Sequence, residues 1–334
     1  MAGDEPDHPA AAPVAALMER AGVPRARIAR HEPLAGGSYN TLHRVDLTDG
    51  TRLVLKVPPS PRIPRLVYEA ELLHGEALFC ASAASVGVPA PRVVHTAAGE
   101  AGPETPFLVM THLPGTPWHE LSGEIDGGEQ DRLRSGLGAM VARLHTVKGP
   151  GFGYPAQSTG PLSGRWAPAF AAMTGAVLAD AAAYGSWLPR EVPEIRAALA
   201  AAAPVLDEVA APALVHFDLW PGNVLLDGPA GERTMSGLID GERMFWGDPL
   251  ADFASLSLPH GDAERDPAFL AGYGAGGGRT NFDDAALRRI ALYRCYLYLI
   301  MLVEVVPRGY AGEHLAWVRE FTGPRLEAAL DATR

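Results

Sequence analysis

Three oxygen-bearing side chains stand beside short apolar runs in the second half of the sequence. Asp218 and Asn223 lie in the polar turn of LVHFDLWPGNVLLD, residues 214–227, and Asp240 follows the apolar pair Leu238-Ile239. Because these runs are strand-like, we expect the three side chains to project from adjacent strand ends. Mg²⁺ prefers one or two carboxylates together with phosphate oxygens and water, which suits Asn223 and Asp240. Asp218 is then left to orient a hydroxyl nucleophile and accept its proton.

Each of these residue types also has a common structural role when it occurs alone. A single histidine such as His216 is usually a satisfied turn residue, and an aspartate in a turn is usually a cap or an Asx-turn acceptor, as expected for Asp49 and Asp227 before glycine. The joint order H-x-D-x-x-x-x-N, then I-D, then G-D-P-x-x-D is what favours chemistry at this place. The elements around it must therefore bring these segments together.

Composition limits the class of protein. The chain has 334 residues and a formal net charge of −11, with 47% hydrophobic and 20% charged residues. This balance is typical of a globular protein of about two domains. The negative charge argues against a nucleic-acid binder or a membrane-surface protein, since both favour a basic face. A cationic small-molecule partner is permitted by the charge, but it is not required.

Cysteine content and the chain's apolar segments bear on location. Cys80 and Cys295 are too few for a disulfide framework or a zinc site, and we expect two buried thiols. Residues 1–13 form a Pro/Ala-rich stretch that lacks the pattern of a signal peptide and is predicted to be a disordered tail. The apolar run Ile290–Val306 contains charged residues and is predicted to be a core helix. We therefore expect a cytoplasmic protein without a membrane or nucleic-acid partner.

The remaining pattern predicts two lobes. Three antiparallel strands are expected within residues 31–57, with Asp49-Gly50 as a two-residue hairpin turn. A helix at 66–85 and two more strands follow, and the sequence beyond Trp118 is mostly helical. We therefore divide the chain into three regions after the tail: an N-lobe at 14–110, a linker at 111–118 and a helical C-lobe at 119–334.

The stretches HFDLWPGN and IDGERMFWGDPLAD, residues 216–223 and 239–252, resemble the aminoglycoside phosphotransferase family. The resemblance extends from about residue 30 to about residue 330. It implies an α+β, protein-kinase-like two-lobed fold, shared with choline, fructosamine and macrolide kinases. The N-lobe would be a small antiparallel β-sheet with one main helix, and the C-lobe would be larger and mainly helical. ATP and Mg²⁺ are the cofactors that the resemblance implies.

Nucleotide-binding residues also follow from the resemblance. Lys56 on the third strand would contact the α- and β-phosphates. It is one of only two lysines in the chain and lies between apolar residues. Glu76 is the preferred partner of Lys56, with Glu69 and Glu71 as the other candidates in that stretch.

The resemblance assigns the phosphate loop and the hinge as well. Gly36, Gly37 and Ser38 would cover the phosphates, because glycines allow backbone amides to approach closely. The hinge segment from Met110 and Thr111 to Leu113 would contact adenine through backbone groups.

Three further residues would support the catalytic turn. His216 would do so by hydrogen bonding, and Asp248 and Asp252 would be structural, with Asp252 capping the following helix or stabilising the turn. The family often has glycine where Phe217 stands, a departure that should change packing beside Asp218 but leave the oxygen ligands in place.

A small molecule is the expected phosphoryl acceptor. Only eight positions separate Asp240 from Asp248, and no A-P-E element follows, so the peptide-docking segment of protein kinases is missing. Acids that could meet a cationic acceptor are found across the C-lobe: Glu242, Asp262, Glu264, Asp266, Glu304 and Glu313. An aromatic group could frame a sugar or an apolar ligand instead: Phe152, Tyr154 and Trp166.

The predicted function is ATP- and Mg-dependent phosphorylation of a small-molecule hydroxyl, with an aminoglycoside-like or amino-sugar compound as acceptor. A metabolic kinase for glucosamine, a fructosamine-like adduct, a choline-like alcohol or a macrolide is the first alternative. A nucleotide-binding pseudokinase that regulates a partner is the second. The complete set of Lys56, Asp218, Asn223 and Asp240 argues against the pseudokinase.

Overall fold

A computed structural model describes four stretches of the chain: residues 13–34, 39–97, 105–258 and 261–334. The predicted disordered tail lies outside the described residues up to position 12. The predicted phosphate loop, Gly36, Gly37 and Ser38, also lies outside them.

The chain divides into two compact units. The smaller unit contains residues up to Pro64 together with Arg92–His112, and the larger contains Arg65–Pro91 together with Leu113–Arg334. The chain passes between the units three times, and the third crossing, between His112 and Leu113, falls inside the predicted linker at 111–118. The predicted N-lobe at 14–110 includes the helix of residues 66–85, whereas the contacts of that helix place it in the larger unit.

In the residues that the structure describes, the smaller unit is a five-stranded antiparallel sheet with one α-helix. Its elements are α1 (Val14–Arg20), β1 (Ile28–Pro33), β2 (Thr41–Leu47), β3 (Arg52–Val57), β4 (Val93–Thr96) and β5 (Leu108–Thr111), with strand order β1-β2-β3-β5-β4. Helix α1 places Leu17 and Met18 against alternate residues of the strands, including Val45, Leu55 and Val109. This alternation is the pattern expected of a sheet with one buried face.

The predicted hairpin between β2 and β3 has a longer loop than expected. Leu47 N–H donates to the Thr51 carbonyl, so three residues rather than two lie in the turn. Gly50 adopts a φ of +84°, which glycine tolerates without steric cost and which matches the last position of a three-residue hairpin loop. Asp49 accepts a hydrogen bond from Thr51 N–H at 2.9 Å, as an Asx-turn residue does.

The larger unit is mainly helical. Its helices are α2 (Leu72–Ser85), α3 (Gly127–Leu144), α4 (Trp166–Tyr184), α5 (Val192–Ala202), α6 (Asp252–Leu256), α7 (Pro267–Ala275), α8 (Asp284–Val303) and α9 (Gly312–Ala332). Its short strands are β6 (Thr116–Pro117), β7 (Ala213–Val215), β8 (Val224–Asp227), β9 (Thr234–Leu238) and β10 (Phe245–Gly247). Antiparallel pairs β7–β10 and β8–β9, with β6 beside β8, frame the turns that carry the polar residues.

Helix α8 lies in the core of this unit, which confirms the prediction for Ile290–Val306. Tyr293 and Tyr296 of α8 meet the Phe170 ring of α4, with ring centroids 5.4 and 5.7 Å apart. Among the described residues, α4 is the one helix long and apolar enough to cross a membrane, and half of its apolar window is buried inside the protein. Buried core helices share that composition. Both cysteines are free and buried, as predicted.

Candidate active site

Asp218 and Asn223 are brought together by the turn between β7 and β8. Pro221–Asn223 form a 3-10 turn with Trp220 at its N-cap. A Cβ at Gly222 would lie 2.1 Å from the Trp220 ring, so glycine lets the ring pack on this turn. At the end of this turn the Asn223 amide donates from Nδ2 to the Asp218 carbonyl at 2.8 Å. The oxygen of the Asn223 side chain is thereby left as its available acceptor.

The backbone of this turn is held by helix α6. The fully buried Asp252 carboxylate accepts hydrogen bonds from the N–H groups of Phe217 at 2.7 Å and His216 at 3.2 Å. Ser255 accepts from Leu219 N–H at 3.0 Å, and His145 Nε2 lies 2.9 Å from Asp252. Of the two roles predicted for Asp252, the geometry shows the one at the turn.

We expect Asp252→Asn to destabilise the protein by about 2–3 kcal/mol, because a buried amide replaces one acceptor oxygen with a donor that faces N–H groups. Urea unfolding followed by tryptophan fluorescence measures the change. Asp227→Asn, at the exposed last residue of β8, is the matched control and should change stability by less than about 0.5 kcal/mol. Equal losses in the two variants would contradict this role for Asp252.

His216 connects the Asp218 turn to the end of β9. Its Nδ1 accepts from Asp218 N–H at 3.2 Å, so the ring proton of the neutral form is on Nε2, which donates to the Ile239 carbonyl at 3.0 Å. Burial lowers the pKa of His216, which favours this neutral form. The histidine thus fixes the spacing between Asp218 and the residue before Asp240.

Asp248 anchors the segment that follows. Its carboxylate accepts from Tyr293 Oη at 2.7 Å and from Arg289 Nε at 3.0 Å, and it caps the next turn through Leu250 N–H at 3.1 Å. Tyr293 in turn accepts a hydrogen bond from Trp166 Nε1 at 2.8 Å. All these contacts lie inside the helical unit, so Asp248 holds α8 to the segment that follows Asp240.

Phe217 occupies a backbone conformation that favours glycine, with φ of +64°. This explains why the related family often has glycine at this place. A side chain in the left-handed region costs about 1–2 kcal/mol. The buried ring offsets that cost by packing 5.0 Å from Phe245 and 5.5 Å from Tyr296, measured between centroids.

Asp240 lies two residues after the end of β9 in a left-handed conformation, with φ of +61°. Oxygens of Glu76, Asp240 and Glu242 all lie within 4.8 Å of one another. Helix α2 approaches closely here, since a Cβ at Gly75 would lie 2.9 Å from the Glu242 carbonyl and one at Gly241 would lie 2.2 Å from the Phe79 ring. The donor set consists of carboxylate oxygens, with the amide oxygen of Asn223 on the neighbouring turn, and this chemistry fits Mg²⁺.

The predicted nucleotide-binding residues of the smaller unit lie on two neighbouring strands. Lys56 is buried on β3 between Leu42 of β2 and Leu108 of β5. Met110 and Thr111 end β5, where Thr111 accepts from Arg92 N–H at 2.9 Å. Their contacts with a nucleotide stay predictions.

Leu113 and Glu69 both belong to the larger unit. The Leu113 side chain lies against Gly237 of β9. Glu69 accepts from Arg308 at 2.7 Å and from Leu66 N–H at 2.8 Å, and burial raises its pKa. Both Glu69 oxygens are therefore engaged inside this unit. The assignment of Glu76 to Lys56 stays a prediction.

Arg243 is a residue of this site to which sequence reasoning gave no role. Its Nε lies 3.9 Å from Asp218 Oδ2. Burial raises the pKa of Asp218 to about 6, although the positive charge of Arg243 acts in the other direction and lowers it. The available signal was its position three residues after Asp240, where an arginine precedes the apolar run MFW.

The acids predicted to meet a cationic acceptor have internal partners in most cases. Asp262 and Glu264 pair with Arg294 at 2.9 and 2.8 Å, and Asp266 pairs with Arg134 at 2.6 Å. Glu304 pairs with Arg243 and Arg308. Glu242 lies in the carboxylate group with Glu76 and Asp240. Glu313 is exposed.

The aromatic group predicted as an alternative acceptor frame is part of the core. Phe152, Tyr154 and Trp166 are all buried, and Trp166 stacks on Phe245 with centroids 5.8 Å apart. In this structure these rings contact other core rings, which does not support the alternative that they frame an acceptor.

The sequence profile of the Phosphotransferase enzyme family matches residues 30–293. This span includes the Asp218, Asn223 and Asp240 turns described above. The chain belongs to this family. It is therefore a small-molecule phosphotransferase that uses a nucleotide and an alcohol acceptor. No curated protein matches the enzyme significantly in sequence.

Solved structures similar to the enzyme share its fold along nearly the whole chain. A Thermobifida fusca YX-ER1 protein provisionally classed as a fructosamine-3-kinase is 24% identical, with a TM-score of 0.62, and the alignment covers 96% of this chain and 99% of that one. The GDP complex of an aminoglycoside 2'-phosphotransferase-IIIa mutant is 18% identical with a TM-score of 0.61, and the alignment covers 96% of this chain and 98% of that one. Macrolide 2'-phosphotransferase MphH from Brachybacterium faecium is 19% identical with a TM-score of 0.54, and the alignment covers 96% of this chain and 97% of that one. These likenesses establish the predicted kinase-like α+β fold.

Proposed function

We propose that the enzyme transfers the γ-phosphoryl group of ATP to a hydroxyl of a small molecule, with Mg²⁺ as cofactor. The observation that carries the proposal is the pair of turns joined by His216. One turn holds Asp218 and Asn223 together through a 2.8 Å hydrogen bond, and the other presents Asp240. A base, an amide ligand and a carboxylate ligand are the parts that phosphoryl transfer requires.

In the proposed mechanism, Asp218 orients the acceptor hydroxyl and accepts its proton as the hydroxyl oxygen attacks the γ-phosphorus. The bond between the γ-phosphorus and the β–γ bridging oxygen breaks, and ADP leaves with that oxygen. Asn223 and Asp240 would hold Mg²⁺, which neutralises charge on the phosphate oxygens when it is bound. Arg243 stabilises the carboxylate form of Asp218 electrostatically. By the family resemblance, Lys56 and Glu76 position the phosphates.

The charge pairing of the C-lobe favours an acceptor with few positive charges. An aminoglycoside is a polycation and needs several unneutralised carboxylates in its site. Asp262, Glu264 and Asp266 each face an arginine at 2.9 Å or less, which cancels much of their attraction for a second cation. We therefore propose a singly charged amino sugar or a fructosamine-like adduct ahead of a polycationic antibiotic. This favours a metabolic role over antibiotic resistance.

A coupled ADP-release assay over amino sugars, fructosamine-like adducts, choline-like alcohols, macrolides and aminoglycosides tests this function. We expect acceptor-dependent turnover with amino sugars or fructosamine-like adducts, and kcat/KM at least about tenfold lower with polycations. GTP should be compared as donor, since the solved relative above binds GDP. Turnover confined to aminoglycosides would overturn the acceptor assignment.

The pseudokinase alternative predicts nucleotide binding without acceptor-dependent turnover. The presence of Asp218, Asn223 and Asp240 in one connected arrangement supports the enzyme instead. A cytoplasmic location, where nucleoside triphosphates are made, is part of the proposal.

A further inference from the structure

A line of alternating charges leads away from Asp218 into the helical unit. Arg243 lies 3.9 Å from Asp218 and donates to Glu304 Oε2 at 3.0 Å. Arg308 lies 3.0 Å from the same Glu304 oxygen and donates to Glu69 Oε1 at 2.7 Å. The order of charges is therefore negative, positive, negative, positive, negative. Neighbouring members attract one another along the whole line.

The five residues come from distant parts of the chain. Arg243 lies in the turn before β10, while Glu304 directly follows the last residue of α8 and Arg308 lies one turn further on. Glu69 belongs to a short 3-10 turn before α2, and its second oxygen accepts from Leu66 N–H at 2.8 Å. One end of the line is therefore Glu69, which is fixed by a backbone hydrogen bond, and the other end is the Asp218 carboxylate.

Burial makes the pairing obligatory. The side chains of Arg243, Glu304, Arg308 and Glu69 are 12%, 10%, 9% and 0% exposed, while that of Asp218 is 21% exposed. Buried charges of this kind are stable only when they are paired and hydrogen-bonded. Both guanidinium groups use the same Glu304 oxygen, so Glu304 is the anion that keeps two arginines together.

We propose that Glu304 is a positioning residue for phosphoryl transfer, which fixes Arg243 beside the catalytic base. Without its negative charge, the two guanidinium groups repel one another, and the Arg243 side chain moves relative to Asp218. Glu69 acts one step further away, because it holds Arg308 against Glu304. The inference rests on the proposed function of Asp218.

Glu304→Gln is the central variant, and Glu264→Gln is its matched control. Glu264 is also a buried glutamate paired with one arginine of the helical unit, at 2.8 Å from Arg294. We expect Glu304→Gln to lower kcat about tenfold, because small displacements of catalytic groups cost up to about 10²-fold. The KM values for nucleotide and acceptor should change less than about twofold. Glu264→Gln should leave kcat unchanged, and Glu304→Asp should recover part of the loss.

A double-mutant cycle separates positioning from a general structural effect. If Glu304 acts through Arg243, then Arg243→Gln combined with Glu304→Gln should lose no more kcat than Arg243→Gln alone. Multiplied losses, or equal losses in Glu304→Gln and Glu264→Gln, would overturn the inference. If Glu304→Gln does not fold, Glu69→Gln takes its place in the cycle, with a smaller expected loss of about threefold.

A measurement without turnover distinguishes failure of this inference from failure of the proposed function. The ¹⁵Nε–H order parameter of Arg243, measured by NMR, should fall in Glu304→Gln and stay unchanged in Glu264→Gln. An unchanged order parameter would contradict the positioning role even in a protein without detectable activity. Absence of phosphoryl transfer in the wild type, with the order parameter lowered as expected, would count against the proposed function alone.

Discussion

Asp218→Asn is expected to lower kcat by about 10²–10⁴-fold, which is the usual contribution of a positioned general base. Asparagine has nearly the shape of aspartate but cannot accept the hydroxyl proton. The turn itself should persist, because its backbone is held by Asp252, Ser255 and His216 rather than by the Asp218 carboxylate. Nucleotide affinity should therefore change less than about threefold, since the base is not assigned to nucleotide binding.

Steady-state kinetics of acceptor-dependent ADP release, together with calorimetric titration of nucleotide, measures both quantities. Asp227→Asn is the control, because it changes an exposed carboxylate at the other end of β8 and has no assigned role. A kcat within threefold of wild type in Asp218→Asn would exclude Asp218 as the base. Loss of nucleotide binding would show that the substitution disturbs the site as a whole.

Asp240→Asn should have the second large effect. Metal-held phosphates contribute several kcal/mol of transition-state stabilisation, so we expect kcat to fall by about 10²–10³-fold. Asparagine tolerates the left-handed conformation of position 240, and the turn with φ of +61° should survive the change. The carboxylate proposed to hold Mg²⁺ is then the main feature that is lost.

The readout for Asp240→Asn is the nucleotide affinity as a function of Mg²⁺ concentration. Wild type should bind nucleotide more tightly as Mg²⁺ rises, and the variant should show a much weaker dependence. Asp218→Asn serves as the comparison, since it should keep the wild-type dependence. A magnesium titration of Asp240→Asn that overlays that of wild type would remove Asp240 from the metal site.

Local sequence order was sufficient to predict the central residues of the candidate site. Asp218 follows the apolar run of β7, Asn223 directly precedes that of β8, and Asp240 comes two residues after β9, so strands form where the apolar runs occur. The antiparallel pairing of β8 with β9 brings Asn223 next to the segment that leads to Asp240, where Ile239 N–H donates to the Asn223 carbonyl at 3.0 Å. The three strands near the N-terminus and the core helix α8 were predictable for the same reason, because their apolar periods are regular.

Contacts between distant segments could not be read from the sequence. Arg243 and Glu304 are 61 positions apart, and Glu69 and Arg308 are 239 apart. No local pattern distinguishes a carboxylate that pairs with a buried arginine from one on a solvated surface. Glu304 was therefore grouped with the acids of an acceptor site, although one of its oxygens is engaged by two arginines.

Tertiary packing also decided the roles of Asp252 and Phe217. The sequence allowed Asp252 to cap a helix or to hold the catalytic turn, and only the folded chain brings it within 2.7 Å of Phe217 N–H. The left-handed conformation at Phe217 is not evident from its residue type, since phenylalanine seldom adopts it. The strain becomes understandable once its ring is seen between Phe245 and Tyr296.

The central claim is that the enzyme forms a phosphate ester with a small-molecule hydroxyl. Phosphorus NMR of a reaction with ATP, Mg²⁺ and the best amino-sugar or fructosamine-like acceptor tests it most directly. We expect a new phosphate monoester resonance that grows in equal amount with ADP and is absent with Asp218→Asn. Formation of inorganic phosphate alone, or no ADP with any acceptor, would contradict the claim.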